Sequence, residues 1–369
     1  MNNPAEQKNI SHEPMHYPMI PPDIPPLIVN AVVKARGIVA IRKLGGGLSG
    51  GTVAHCRAVD GSEYALKRWP STISLERIEA IHRVITHAWN KGCETVALPV
   101  SFQPAAKSLS SNLTETVFSM AGEHWELSQW RPGKAVDVNT DLSTIRRGAE
   151  VIANFHECTA SLQSCRQPAP IIQERLRILT ARKQQFPLPM TLISEVNLNA
   201  EVASAIRDAA NLLLWKWDEA HDQIHRSLSQ YADCNTATQY VLRDVHAQHI
   251  LFSAGRATGL VDFDAVRIDT PASDLARWAG SFLSGPHSAG DVWDAVFTGY
   301  QARIPQPSHS NEPPIANLAT DLCFAGAWLS LANWLVWLLV ERRDFEVPPG
   351  ILAKRIYNLI QVATRLTDD

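Results

Sequence analysis

The most informative part of this sequence is Tyr240-Val-Leu-Arg-Asp-Val-His-Ala-Gln-His-Ile-Leu-Phe252, followed by Gly259-Leu-Val-Asp-Phe-Asp264. Asp244 and Asp262 each stand where an apolar, strand-like run ends. A hydrophobic strand that stops at a carboxylate delivers that carboxylate to a cleft. Two such carboxylates, one loop apart, are typical of a phosphoryl-transfer site, in which one is directed at a hydroxyl group and the other at a metal ion.

A glycine-rich segment lies near the N-terminal end of the chain. The run from Leu44 to Val53 fits the pattern Gly-x-Gly-x-x-Gly. Glycine adopts positive φ at little cost and has no Cβ to block a phosphate, so such a run can fold over a nucleotide. By itself it is more often a turn or a linker. The strand patterns on both sides favour a phosphate loop, and the predicted nucleotide-binding residues in it are Gly45, Gly46, Gly47, Ser49 and Gly50.

Lys67 lies inside an apolar strand pattern downstream of the glycines. Ala65, Leu66 and Trp69 flank it closely, which favours a side chain directed inward over a solvated edge lysine. An ammonium group there supplies a point charge to phosphates. Apolar residues then recur at helical spacing from Leu75 to Ile85, which predicts a helix.

In this order the motifs resemble those of the aminoglycoside phosphotransferase and choline kinase group, which shares the protein-kinase-like fold. The resemblance covers about residues 36–340. That group carries His-Gly-Asp-x-His-x-x-Asn, and protein kinases carry His-Arg-Asp, four residues, then Asn, with Asp-Phe-Gly later. Here Asp244 and His246 match, whereas Leu242 and His249 stand where the group has its first His and its Asn. Asp262-Phe263-Asp264 stands at the later motif.

The resemblance implies an α+β, two-lobed fold with a small β-rich N-lobe and a larger, mainly helical C-lobe. Residues 36–130 would form the nucleotide-binding N-lobe, and residues 131–369 the C-lobe with the catalytic loop. Residues 1–35 hold many prolines, and such a stretch favours extended, solvated chain.

The resemblance also implies roles for individual residues. Asp244 would be the base or hydroxyl-orienting group of a transfer from ATP, and Lys67 would hold the α- and β-phosphates with a helix glutamate as partner. Glu79 is the preferred partner, with Glu76 and His82, on the same helix, as the other candidates.

Asp262 is the predicted Mg²⁺ ligand, and Asp264 either assists it or only holds the loop. His249 stands at the second metal position. As a softer ligand than an amide it would tilt the preference toward Mn²⁺, or it is a structural histidine bonded to a carboxylate.

Composition excludes several other classes of function. The formal charge is −3 over 369 residues, so no basic field invites nucleic acid. None of the six cysteines forms Cys-x-x-Cys, which argues against a zinc site and suits reduced thiols in the cytoplasm. We see no signal-peptide pattern and expect a cytoplasmic protein.

The uncharged segment Cys323–Val340 is about as long as a minimal membrane span. Ser330 and Asn333 interrupt it, and the centre of a large domain also needs a helix that is apolar all round. We therefore expect a core helix without stable membrane insertion. The tryptophans in and near this segment are expected in the core, although some could line the pocket of a choline-like substrate.

Two hypotheses for function follow. The first is an ATP-dependent phosphotransferase that acts on a hydroxyl of a small molecule. The second is a nucleotide-binding pseudokinase without transferase activity, motivated by Leu242 and His249 in the catalytic loop. The identity of the acceptor, and ATP versus GTP, stay open at this point.

Overall fold

The computed structural model of the protein describes residues 21, 24–44, 51–103, 113–186, 188–304, 314–345 and 347–368. The protein has the predicted α+β architecture, with a β-sheet N-terminal part and a helical C-terminal part.

The N-terminal part is built on one antiparallel sheet. Its strands are β1 (Ile38–Lys43), β2 (Thr52–Ala58), β3 (Glu63–Arg68), β4 (Pro99–Val100), β5 (Val117–Met120) and β6 (Glu123–Gln129). The order is β1-β2-β3-β6-β4, and β5 pairs with the same strand β6. Asp60 and Gly61 form the predicted turn between β2 and β3, where Gly61 has a φ of 84° and the Asp60 carboxylate accepts a hydrogen bond from Ser62 N at 2.9 Å.

Two helices pack on this sheet region. The predicted helix after β3 is α2 (Leu75–Asn90), and the Ser74 hydroxyl caps it by accepting a hydrogen bond from Arg77 N at 3.3 Å. The other helix, α1 (Pro26–Arg36), was not predicted. It corrects the expectation of an extended tail over residues 1–35, because residues 26–35 are helical. Proline is tolerated at the first helical position, and Ile28 and Val32 on one face are fully buried against the sheet.

The C-terminal part consists mainly of helices. They are α3 (Leu142–Ala160), α4 (Pro170–Lys183), α5 (Leu192–Glu195), α6 (Ala200–Ser229), α7 (Ala272–Gly280), α8 (Ala289–Gln301), α9 (Ile315–Leu335) and α10 (Pro349–Asp368). Two small sheets lie among them, β11-β10-β7 and β12-β9-β8. Their strands are β7 (Lys134–Ala135), β8 (Ser164–Pro168), β9 (Asn235–Val241), β10 (Ile250–Ser253), β11 (Arg256–Leu260) and β12 (Arg267–Asp269). The predicted lobe boundary at 130/131 falls in the link between β6 and β7.

Helix α9 and the π-helical turn Val336–Val340 that follows it form the segment with a possible membrane span. Among the described residues it is the one helix long and apolar enough to cross a bilayer, and 72% of its most apolar window is buried inside the protein. It packs against α4, α6, α7 and α10. This burial favours the core-helix interpretation, because the surrounding helices already cover its apolar surface.

Helices α3 and α7 approach each other closely at Gly148. A Cβ at this position would lie 2.0 Å from Cζ2 of Trp278, which is fully buried and donates its indole N–H to Ile145 O at 2.9 Å. We expect Gly148→Ala to lower the free energy of unfolding by about 1–3 kcal/mol, as overpacked cores do. Urea denaturation measures this change.

Gly290→Ala in the first turn of α8 is the matched control. The nearest atom to a Cβ there is Ser288 Oγ at 3.9 Å, so the alanine has room. It should leave stability unchanged or raise it by up to about 1 kcal/mol. Equal unfolding midpoints for the two variants would contradict the close approach at Gly148.

Candidate functional site

The backbone before Asp244 is held by a buried carboxylate. After β9 the chain turns at Arg243, whose φ is 67°. Leu242 N and Arg243 N donate to the two carboxylate oxygens of Asp274 at 2.7 and 2.6 Å. Asp274 is fully buried and also contacts His156 Nε2 at 2.9 Å. This network fixes the turn that delivers Asp244 to the cleft.

The Arg243 side chain pairs with carboxylates other than that of Asp274. Its guanidinium pairs with Asp269 at 2.7 Å and with Glu174 at 2.5 Å. The interaction of Arg243 with Asp274 therefore runs through the backbone N–H, and the guanidinium ties the loop to β12 and α4.

Asp244 itself presents a half-exposed carboxylate. Its Oδ1 forms an ion pair with Arg277 of α7, and 49% of the side chain is exposed. Burial raises the pKa of Asp244, but the charge of Arg277 outweighs burial and holds the pKa below its usual value. The group is therefore a carboxylate at neutral pH and can accept a hydrogen bond from a hydroxyl.

Asp262 and His249 contact each other at the end of β11. Asp262 has a φ of 65°, and its Oδ2 lies 3.3 Å from His249 Nε2. His249 is 9% exposed, and its buried Nδ1 has no hydrogen-bond partner among the described residues. Burial lowers the pKa of His249, so the imidazole is neutral at neutral pH. One of the two ring nitrogens of a neutral imidazole carries a free lone pair and can accept a hydrogen bond or bind a metal ion.

The His246 ring lies tilted against that of His249, with ring centroids 3.7 Å apart, and its Nδ1 accepts a hydrogen bond from Gln248 N at 3.3 Å. Burial, followed by the charge of Arg277 and the neighbouring ring, lowers the pKa of His246 to about 3. The ring is therefore neutral at neutral pH, and its hydrogen bond with Gln248 lies within the loop.

Lys67 reaches the same aspartates from β3. Its Nζ contacts Asp264, lies 3.6 Å from Asp262 Oδ1 and sits 4.2 Å from the centroid of the Trp69 ring. The side chain is 13% exposed, so it is directed inward as predicted.

The predicted ion pair of Lys67 with Glu79 is wrong. Among the described residues, the carboxylates within 4.0 Å of Lys67 Nζ belong to Asp262 and Asp264. Glu79 lies half-buried on α2, and its carboxylate does not reach the lysine. The pairing of β3 with β6 instead brings a different glutamate near Lys67, outside ion-pair distance.

Glu126 is the carboxylate that sequence reasoning missed. It lies directly across from Lys67 in the β3–β6 register. Its Oε2 contacts His82 Nε2 at 2.7 Å and accepts the Trp69 indole N–H at 3.0 Å, while His82 Nδ1 lies 2.7 Å from Thr116 Oγ1. Burial raises the pKa of Glu126, but His82 and Lys67 outweigh it and hold the pKa below its usual value. Helix α2 is therefore linked to Lys67 in two steps: His82 contacts Glu126, and against the effect of burial the charges of Asp264 and Glu126 raise the pKa of Lys67.

Asp264 lies in the same site and forms an ion pair with Lys67 of β3. Burial and the negative charge of Asp262 raise the pKa of Asp264 to about 6, against the opposing charge of Lys67. The backbone around it is held by Arg77 of α2, whose Nη2 donates to Asp264 O at 3.0 Å and to Val266 O. Arg77 is a second residue that the helical pattern alone did not single out.

The predicted phosphate-loop residues Gly45, Gly46, Gly47, Ser49 and Gly50 lie outside the described residues. The strands β1 and β2 that lead into and out of this segment are described, and β2 pairs Val53 with Lys67 of β3. The ends of the segment are thus in register with the lysine.

The order of these elements matches that of a known enzyme family. The sequence model of the phosphotransferase enzyme family matches residues 40–305, a range that includes Lys67, Asp244 and Asp262. The chain belongs to this family. No curated protein matches the chain in sequence.

Solved structures of phosphotransferases share the fold. The aminoglycoside phosphotransferase from Alicyclobacillus acidocaldarius is 17% identical with a TM-score of 0.58, over 95% of this chain and 96% of that one. The amicoumacin kinase, solved with AMP-PNP, Ca²⁺ and Ami, is 14% identical with a TM-score of 0.60, over 92% and 94%. The spectinomycin phosphotransferase, solved with ADP and spectinomycin, is 11% identical with a TM-score of 0.60, over 95% and 100%. At these identities the likeness shows the protein-kinase-like fold.

Proposed function

We propose that this protein is an ATP-dependent phosphotransferase that moves the γ-phosphoryl group to a hydroxyl of a small molecule. The observation that carries the proposal is the meeting of Lys67, Asp262 and Asp264 within ion-pair distance at the end of the loop that begins with Asp244. The amicoumacin kinase and the spectinomycin phosphotransferase hold nucleotides together with small antibiotics, which supports a nucleotide donor and a small acceptor.

The chain's own residues would divide the work as follows. Lys67 binds the α- and β-phosphates, and Gly45, Gly46, Gly47, Ser49 and Gly50 are the further residues predicted to bind the nucleotide. Asp244 orients the acceptor hydroxyl and takes its proton, which its depressed pKa allows at neutral pH. Because the transition state of phosphoryl transfer is loose, such positioning supplies most of the catalysis.

The donor set fits a divalent cation that is shared with the nucleotide. No group of three or more His, Cys, Asp or Glu side chains is arranged as a complete metal cage in the described part of the chain. Mg²⁺ needs none, since it uses one or two carboxylates and completes its shell with phosphates and water. Asp262 and the neutral His249, whose Nε2 lies 3.3 Å from Asp262 Oδ2, would hold it, with Mn²⁺ as the alternative because of the imidazole. When bound, the ion neutralises charge on the phosphates.

We also propose that the protein works in the cytoplasm, without nucleic acid and without stable insertion into a membrane. The six cysteines are free thiols in the structure, which suits a reducing compartment. The burial of α9 and the charge of −3 support the other two statements.

A transfer assay with γ-labelled ATP and a panel of hydroxyl compounds tests the proposal. We expect transfer to at least one acceptor with Mg²⁺, its loss in EDTA, and its return with Mg²⁺ or Mn²⁺. Thermal-shift titration of ATP runs in parallel. Stabilisation by ATP and metal without transfer to any acceptor would favour the pseudokinase hypothesis, and no response to ATP would contradict both.

A further inference from the structure

Three arginines on the C-terminal helices surround Asp244 with positive charge. Arg277 of α7 forms an ion pair with Asp244 Oδ1. Arg175 of α4 and Arg355 of α10 both lie close enough to feel the charges of Asp244 and Arg277. Of three guanidinium groups on three different helices, one thus contacts Asp244 and two lie within reach of its charge.

Two of these guanidinium groups have no carboxylate in contact with them in the part of the chain that the structure describes. In the described ranges, no carboxylate lies within 4.0 Å of Arg175 or Arg355. The carboxylate of Glu174, the residue before Arg175, forms an ion pair with Arg243 at 2.5 Å. The guanidinium of Arg243 is therefore in contact with two carboxylates, whereas Glu174 and Asp244 act on Arg175, and Asp244 on Arg355, only from beyond contact distance.

The environment of Arg175 makes this arrangement unfavourable in the free protein. Burial, and then the charges of Arg277 and Arg243, lower the pKa of Arg175 to about 10. The guanidinium still carries its proton at neutral pH, so the repulsion between the like charges persists. An oxyanion that binds between the arginines relieves this repulsion, and the planar fork of a guanidinium matches carboxylate and phosphate oxygens.

Helix α9 turns a partly buried face toward Arg175 and Arg182 of α4. Gly326, Ser330 and Asn333 lie on one face of the helix and are only half-buried, in a helix whose other positions are mostly buried. A Cβ at Gly326 would lie 4.0 Å from Arg175 Nη2, and Asn333 Oδ1 accepts a hydrogen bond from Arg182 Nε at 2.9 Å. The face toward α4 is therefore suited to a polar ligand.

The tryptophans nearby do not form a free cage for a cation. The Arg355 guanidinium lies 6.0 Å from the centroid of Trp334, and the Arg343 guanidinium lies 5.1 Å from that of Trp337. Trp278 and Trp328 are fully buried core residues. Two of these rings are already beside the protein's own cations, which disfavours a quaternary ammonium ligand at the same place.

We propose that the acceptor is an anionic hydroxyl compound, whose carboxylate or phosphate group is bound by Arg175, Arg277 and Arg355. This inference rests on the proposed transferase function. The anion competes with Asp244 for Arg277, which leaves Asp244 Oδ1 for the acceptor hydroxyl. The hydroxyl oxygen then forms its bond to the γ-phosphorus, the bond from that phosphorus to ADP breaks, and the hydroxyl proton passes to Asp244.

A matched series of small hydroxyl compounds tests the charge preference. Glycerol, D-glycerate, glycerol 3-phosphate and choline are titrated into the full-length protein with AMP-PNP and Mg²⁺ present, so that the nucleotide site is filled. Thermal stabilisation reports the affinity of each compound. We expect D-glycerate or glycerol 3-phosphate to bind at least tenfold more tightly than glycerol and choline, and the stronger of the two identifies carboxylate or phosphate as the anion.

Substitutions then locate the binding. Arg175→Gln and Arg355→Gln should each weaken binding of the anion at least tenfold, with AMP-PNP affinity unchanged within twofold. Arg57→Gln, at an exposed position on β2, is the control and should change neither. Choline binding as tightly as the anions, no response to either anion, or equal weakening by Arg57→Gln would overturn the inference. If wild-type protein fails to bind AMP-PNP, the proposed transferase function fails instead.

Discussion

Replacement of Asp244 by asparagine should lower kcat for phosphoryl transfer by about a thousandfold or more, the upper range for loss of a general base. Asparagine has the same shape and keeps the turn, because the turn is held by Asp274 and the backbone of Leu242 and Arg243. It cannot take the hydroxyl proton and loses the ion pair with Arg277. Transfer of labelled phosphate at saturating ATP and acceptor measures the loss.

Binding of the nucleotide separates this effect from misfolding. The ATP affinity of the Asp244→Asn variant should stay within twofold of that of the wild type, since Lys67 and Asp262 are untouched. Asp218→Asn, at an exposed position on α6, removes one carboxylate far from the loop and should leave kcat unchanged. A variant Asp244→Asn that retains a tenth or more of the wild-type kcat would remove Asp244 from its proposed role.

The parts of the site that were predicted from the sequence are those in which a motif is local. Asp244 and Asp262 end apolar strands, and Lys67 lies within one, so period-two patterns and strand ends were enough to place them. In the structure Lys67, Asp262 and His249 form one cluster through the 3.6 Å contact of Lys67 with Asp262 and the 3.3 Å contact of Asp262 with His249, and Asp244 lies close enough for its charge to act on Asp262 and His249.

The parts that were missed depend on contacts between distant segments. The role of Glu126 follows from the register of β6 against β3, which no local pattern reveals. Arg175, Arg277 and Arg355 lie on three helices separated by long stretches of sequence, and each alone is typical of a solvated helix face. Their convergence comes from the packing of α4, α7 and α10 around α9.

The missed helix α1 has a different physical cause. Prolines from Pro4 to Pro26 dominate the composition there and favour extended chain. The last of them, Pro26, stands at the first helical position, where it costs no hydrogen bond. The apolar residues Ile28 and Val32, one helical turn apart, then decide the local structure by burial against the sheet.

Replacement of Glu126 by glutamine should lower kcat/KM for ATP by about a hundredfold, the scale of a small displacement of a charge-bearing group. In the free protein Lys67 contacts the two aspartates, and the more distant charge of Glu126, across from it in the sheet, also acts on it. When the nucleotide engages Asp262, the charge of Glu126 would remain beside Lys67 and help to hold the lysine in place. Loss of its charge releases Lys67 from the phosphates. Initial rates at varied ATP concentration measure the change, and we expect most of it in KM for ATP.

Glu79→Gln on α2 is the decisive control, because Glu79 occupies the helix that supplies this glutamate in protein kinases. Its carboxylate does not reach Lys67, so kcat/KM for ATP should stay within twofold. Glu126→Gln also breaks hydrogen bonds with His82 and Trp69, which should cost about 1–3 kcal/mol of stability, and rates are therefore compared well below its unfolding temperature. Loss of activity in Glu79→Gln with normal activity in Glu126→Gln would show that the helix glutamate swings in when ATP binds. The opposite result assigns the lysine to the strand glutamate, positioned from α2 by His82.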